Sequence, residues 1–100
     1  MEKYSIYIGI MQNDMKTENN KDEVLKATIE AFKNIGVLGA SAQFIKGVWN
    51  GQTEETLNFS FLNTENVRLE DIKTTVATLR NQFKQECILI EKQEVEHTFI

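Results

Sequence analysis

The stretch Ile45–Leu62, "IKGVWNGQTEETLNFSFL", decides how the chain folds. Asn50-Gly51 is the strongest short-range turn signal in the sequence, because both residues tolerate positive φ. After it, Leu57, Phe59 and Phe61 alternate with Asn58 and Ser60, which gives a strand from Thr56 to Leu62 with one apolar and one polar face. Before it, residues from about Ala42 to Trp49 read as the preceding strand. The polar run "QTEE" is expected to lengthen the connection beyond a two-residue turn into a bulged loop. The stretch also holds the single tryptophan, Trp49.

Upstream, "YSIYIGI" (Tyr4–Ile10) is β-branched and aromatic, a central strand. The polar "MQNDMKTENN" that follows has no period and reads as a loop. Asn20 with Glu23 resembles a capping box. Leu25, Thr28, Ile29, Phe32 and Ile35 keep the helical rhythm, and Gly36 suits a left-handed cap. Downstream, "NTEN" offers caps for a second helix, in which Leu69, Ile72, Val76, Leu79 and Phe83 are spaced 3, 4, 3, 4. "ECILIEK" reads as a fourth strand, and "EVEHTFI" alternates in a way that predicts a fifth, edge-like one.

The order βαββαβ plus a tail strand is the split βαβ of the α+β ferredoxin-like sandwich: two helices on one face of a four-stranded antiparallel sheet, with a C-terminal edge strand. The 100 residues are the length of a single domain spanning 1–100. A chain this short gains from association, so a homo-oligomer, dimer or trimer, is expected.

Charge and composition narrow the function. Fifteen acids against eleven bases give a net charge of −4, which argues against nucleic acid and anionic membrane as partners. There is no basic-then-apolar leader and no 18-residue apolar run, so a cytoplasmic protein that spans no membrane is expected. The lack of Pro and the wealth of Asn, Lys and Glu point to an AT-rich genome, bacterial or phage. Cys87 sits in an apolar run and is expected to be a buried structural thiol.

In this architecture the sheet face away from the helices is the natural place for function. Ser5, Tyr7, Asn58 and Ser60 are expected on it. Trp49, with Asn50, Gln52, Glu54 and Glu55 around it, is the expected interaction hairpin, since tryptophan anchors interfaces. Catalytic groups are not evident. His97 is alone near the C-terminus, Glu54 and Glu55 are adjacent and so point apart, and no ligand cluster for a metal stands out. No cofactor or metal is therefore expected.

Two resemblances bear on this reading. "IYIGIM" and "LNFSFLN" resemble the first- and third-strand motifs of RNA-recognition domains, which would make Tyr7, Phe59 and Phe61 a base-stacking platform. Gly47, Trp49 and Gly51, with Glu55 and "QECILI", resemble the CutA and PII-like group and small bacterial families with a G-x-W-x-G hairpin. That resemblance implies trimers and, in some members, nucleotide or metal binding in subunit clefts. The reading favoured is a non-enzymatic interaction or regulatory module, with a phage or mobile element as a possible source and a host protein as partner. The alternatives are a PII-like small-molecule sensor and a single-stranded RNA binder.

Overall fold

The computed structural model describes the backbone of residues 1–100 and every side chain except that of Trp49. The elements are β1 (Glu2–Gly9), α1 (Lys21–Lys33), β2 (Ser41–Trp49), β3 (Gln52–Leu62), α2 (Leu69–Gln82) and β4 (Leu89–Glu94). The sheet order is β2-β3-β1-β4, antiparallel throughout. This is the α+β ferredoxin-like fold expected from the pattern.

Strand parity places the core. Tyr4, Ile6 and Ile8 of β1 and Leu57, Phe59 and Phe61 of β3 face the helices and are buried. Phe32 of α1 is fully buried among them, its ring centroid 5.1 Å from Phe59 and 5.4 Å from Phe61. α2 adds Ile72, Val76 and Leu79, with Phe83 just past its end. The α1 stripe is rotated from the expected one: Val24, Thr28 and Phe32 are buried, whereas Ile29 is 47% exposed. The Thr28 hydroxyl donates to the Val24 carbonyl at 2.7 Å, so its burial leaves no orphaned donor.

Three local expectations are corrected. "QTEE" is strand, not loop: Trp49 pairs directly with Gln52, and Asn50 and Gly51 alone turn the chain, at φ 49° and 74°. Both values are positive, as a two-residue primed turn requires. The Asn-Gly geometry sets the register, and the run reads polar because Gln52 and Thr53 are exposed at the tip while Glu54 and Glu55 are half-buried among polar partners. At α2, the "NTEN" segment supplies no N-cap. The Asn63 side chain instead brackets Val67, accepting from its N–H at 2.8 Å and donating to its carbonyl at 3.0 Å, while Arg68 stands at the cap position. Residues 95–100 form no fifth strand. The Val95 N–H donates to the Met1 carbonyl at 2.9 Å, and beyond it the chain leaves the sheet.

No helix is long and apolar enough to cross a membrane.

Candidate active site

The open face of the sheet is read from the same parity. Ser5, Tyr7 and Gly9 lie on it opposite Ser60, Asn58 and Thr56, and Glu54 lies on it opposite Gly47. Ser5 and Ser60 share a hydrogen bond at 3.0 Å, and the Ser60 hydroxyl donates to Asn58 at 2.8 Å. The Tyr7 hydroxyl is held above its usual pKa, first by its hydrogen bond to Glu91, then by burial and the Glu91 charge, with Asn58 and Ser5 opposing.

The hairpin residues part company. Asn50 and Gln52 are exposed at the tip, and the Trp49 side chain lies outside the described part of the structure. Glu55 faces the helix side, bridged to Lys21 and, at 3.6 Å, to Lys46. Lys21 in turn lies 5.6 Å from the Phe44 ring centroid. The Lys21 hydrogen bond is the main reason the Glu55 carboxyl titrates below its usual range. Glu54 faces the other way, into a cleft.

That cleft has a volume of about 460 Å³ and sits where β1, the hairpin, the loop after β1 and the approach to β4 meet; Tyr7, Gly9, Met11, Glu54, Thr56 and Gln85 help line it. The size suits a small organic ligand. Glu54 lies directly over Gly9: a Cβ placed there would stand 1.7 Å from Glu54 Oε1 and 3.0 Å from Gln85 Oε1. The bare glycine leaves room for the carboxylate to fold back over the strand. Burial raises the Glu54 pKa, and the Met11 backbone N–H works in the opposite direction.

Gln85 is fixed from both sides of the cleft. Its Nε2 donates to the Met11 carbonyl at 2.8 Å and to the Phe83 carbonyl at 3.3 Å. The loop after β1 is tied to the same segment, since Asn19 Nδ2 donates to the Phe83 carbonyl at 2.9 Å and the Asn13 N–H to the Lys84 carbonyl at 2.8 Å. A larger groove of about 610 Å³ lies at the other end of the sheet, beneath the tail. Its Glu65, Glu96 and His97 are exposed, so it lacks the half-buried carboxylate that distinguishes the Glu54 cleft.

The structure therefore brings Glu54, expected at a hairpin rim, together with Gly9 and Gln85, neither of which is among the expected site residues. Cys87 is exposed, not buried. It lines the cleft, because "ECILI" enters the sheet only at Leu89. Phe59 and Phe61 are buried under the helices, on the face opposite Tyr7. The three do not form a base-stacking platform.

Comparison with known structures decides the kinship. A phage SAM lyase in its apo state matches with 31% sequence identity and a TM-score of 0.71, over 92% of this chain and 78% of the lyase. The phage SAM lyase in complex with S-methyl-5′-thioadenosine matches with 31% identity and a TM-score of 0.72, over 93% and 80%. This chain belongs to the phage SAM lyase family.

The family membership overturns the reading of a non-enzymatic interaction module, and with it the expectation that the chain is not an enzyme. The phage source of these relatives agrees with the source suggested by composition. A DUF3240 family protein from Shewanella baltica OS155 shares the fold at 17% identity and a TM-score of 0.57, over 99% of this chain and 94% of that one. The resemblance to small bacterial families thus holds at the level of the fold, while that to the CutA and PII-like group rests on the sequence pattern. No protein-family model and no curated protein matches the sequence.

Proposed function

We propose that this protein is a lyase acting on S-adenosylmethionine, with the Glu54 cleft as its substrate site. The observation that carries the reading is the 31% identity, over most of both chains, to a phage SAM lyase bound to S-methyl-5′-thioadenosine. That thioether is S-adenosylmethionine without its four-carbon amino-acid arm. It forms when the bond from the sulfonium sulfur to the arm's γ carbon breaks and the electron pair stays on sulfur, which thereby becomes neutral. The γ carbon is completed within the arm, either by loss of a β proton to a base or by closure of the arm's own carboxylate onto it. Neither route consumes water, which separates a lyase from a hydrolase.

This chemistry asks nothing of a side-chain acid, because a neutral thioether leaves without protonation. The protein's part is to hold the arm in a reactive shape and to exclude water. A half-buried carboxylate over a strand glycine, walled by the Tyr7 ring and the fixed Gln85 amide, suits that task. The test is chromatography of purified protein incubated with S-adenosylmethionine. Stoichiometric S-methyl-5′-thioadenosine is expected, with a large drop in Glu54→Gln. A wild-type protein that releases none overturns the reading.

The open sheet face supports a homo-oligomer as the working form. Ser5, Asn58 and Ser60 hydrogen-bond to one another there, and beside them the apolar Leu89, paired with Tyr7, is exposed, surface that a second copy would cover. Light scattering is expected to give a dimer or trimer that Tyr7→Glu dissociates. A wild-type monomer at every concentration overturns this part alone.

A further inference from the structure

The cleft holds two hydrogen-bond acceptors aimed at one place. Gln85 spends both of its N–H groups on the Met11 and Phe83 carbonyls, so its free end is the oxygen. That oxygen and Glu54 Oε1 converge on the point above Gly9, at 3.0 Å and 1.7 Å from it. An amide oxygen and a carboxylate both carry lone pairs and repel unless a donor or a positive charge lies against them. Glu55, its neighbour in sequence, has two lysines. Glu54 has the Met11 backbone N–H as a donor but takes part in none of the ion pairs among the described residues. The cleft therefore has a carboxylate and a neighbouring amide oxygen whose counter-charge is not supplied by a described side chain.

We infer that Glu54 and Gln85 form an acceptor pair that binds a positively charged centre of the substrate's methionine arm, and that this pair lets the cleft distinguish S-adenosylmethionine from its neutral thioether product. The inference rests on the lyase reading. The substrate brings two positive centres, the sulfonium and the α-ammonium, and cleavage removes both from the adenosine part. The pair then loses its partner as the bond breaks, which weakens the hold on S-methyl-5′-thioadenosine and favours its release. The burial that raises the Glu54 pKa fits a carboxylate short of compensating charge.

The experiment is calorimetric titration of wild type and Glu54→Gln with three uncleaved probes. Sinefungin carries a protonated amine in place of the sulfonium. S-adenosylhomocysteine keeps the α-ammonium but has a neutral sulfur. S-methyl-5′-thioadenosine has neither charge. Glu54→Gln is expected to weaken sinefungin about tenfold or more and to leave S-methyl-5′-thioadenosine within about twofold, with Gln85→Met giving the same order at smaller size. A matching loss for S-adenosylhomocysteine assigns the pair to the ammonium; an unchanged affinity assigns it to the sulfur position. Equal losses for all three probes place the pair on the ribose or the base and overturn the inference. So does a wild type that turns substrate over while Glu54→Gln alters none of the three affinities. If wild type binds no probe and yields no S-methyl-5′-thioadenosine, the lyase reading falls, and the inference with it.

Discussion

Replacing Gly9 by alanine separates stability from activity in one step. Gly9 lies in β1 opposite Thr56, and its φ is outside the left-handed region, so alanine suits the backbone there. Relative to alanine, a strand glycine costs about 0.5–1 kcal/mol. For a chain of this size that is a rise in Tm of roughly 2–8 °C. The new methyl group, however, would occupy the space of the Glu54 carboxylate, at 1.7 Å from Oε1 and 2.8 Å from Cδ. A long side chain can swing away at little energetic cost, so the fold absorbs the change while the cleft loses its charge. A charged hydrogen bond is worth about 1.5–3 kcal/mol, which corresponds to about a 10- to 150-fold loss in kcat/KM for S-adenosylmethionine. The assay is thermal unfolding alongside product chromatography on the same sample. A Gly9→Ala protein that melts at or above wild type and keeps the wild-type rate refutes the claim that Glu54 must lie over Gly9.

Glu54→Gln tests linkage. The folded-state pKa of Glu54 is raised by burial, so the folded chain holds that proton more tightly than the unfolded chain. The ionised carboxylate thus destabilises the fold at neutral pH, and the penalty fades as pH falls through the raised pKa toward the ordinary 4.5. The variant should melt higher than wild type at pH 7, and the gap should close by about pH 4.5; a gap that widens on acidification contradicts this. Phe32→Ala removes a fully buried ring packed on Phe59 and Phe61 and should cost about 3–5 kcal/mol in urea unfolding. A loss below 1 kcal/mol would mean the core lies elsewhere. Cys87 is exposed at the cleft, so the native protein should react at once with a thiol reagent, and sinefungin should slow that reaction. Labelling that needs denaturant would show a buried thiol.

The fold was legible because both helices carry an apolar stripe and the two central strands, β1 and β3, bury one parity. Two elements misled for physical reasons. In "QTEE" Gln52 and Thr53 are exposed while Glu54 and Glu55 are half-buried against polar partners, so its strand character leaves no apolar alternation to read; the Asn50-Gly51 pair is the better guide. "EVEHTFI" alternates, but alternation gives a strand no partner. The site was harder. Glu54 was noticed beside Trp49, yet Gly9 and Gln85 lie far from it along the chain, and periodicity carries no information about such a meeting. A glycine interrupting "YSIYIGI" was the available signal, since a strand glycine often marks close approach. The enzymatic role leaves no trace in paired acids, bases or metal ligands, the patterns a sequence displays most openly. A substrate that carries its own leaving group needs none of those pairs.

The ties across the cleft join Asn19 to Phe83 and Gln85 to Met11, contacts that span 64 and 74 residues of chain. Neither half of the sequence contains a cleft. Its two walls meet where β1 pairs with β3 and α2 rests on the core. Such contacts carry a larger loop-closure cost than a helix or a hairpin, so the fold as a whole, and neither half alone, holds these walls together. An intact cleft is therefore a reporter of completed assembly. A chain without the residues beyond α2 keeps its hairpin, its β1–β3 pairing and Phe32 in sequence, yet lacks the Gln85 wall of the cleft.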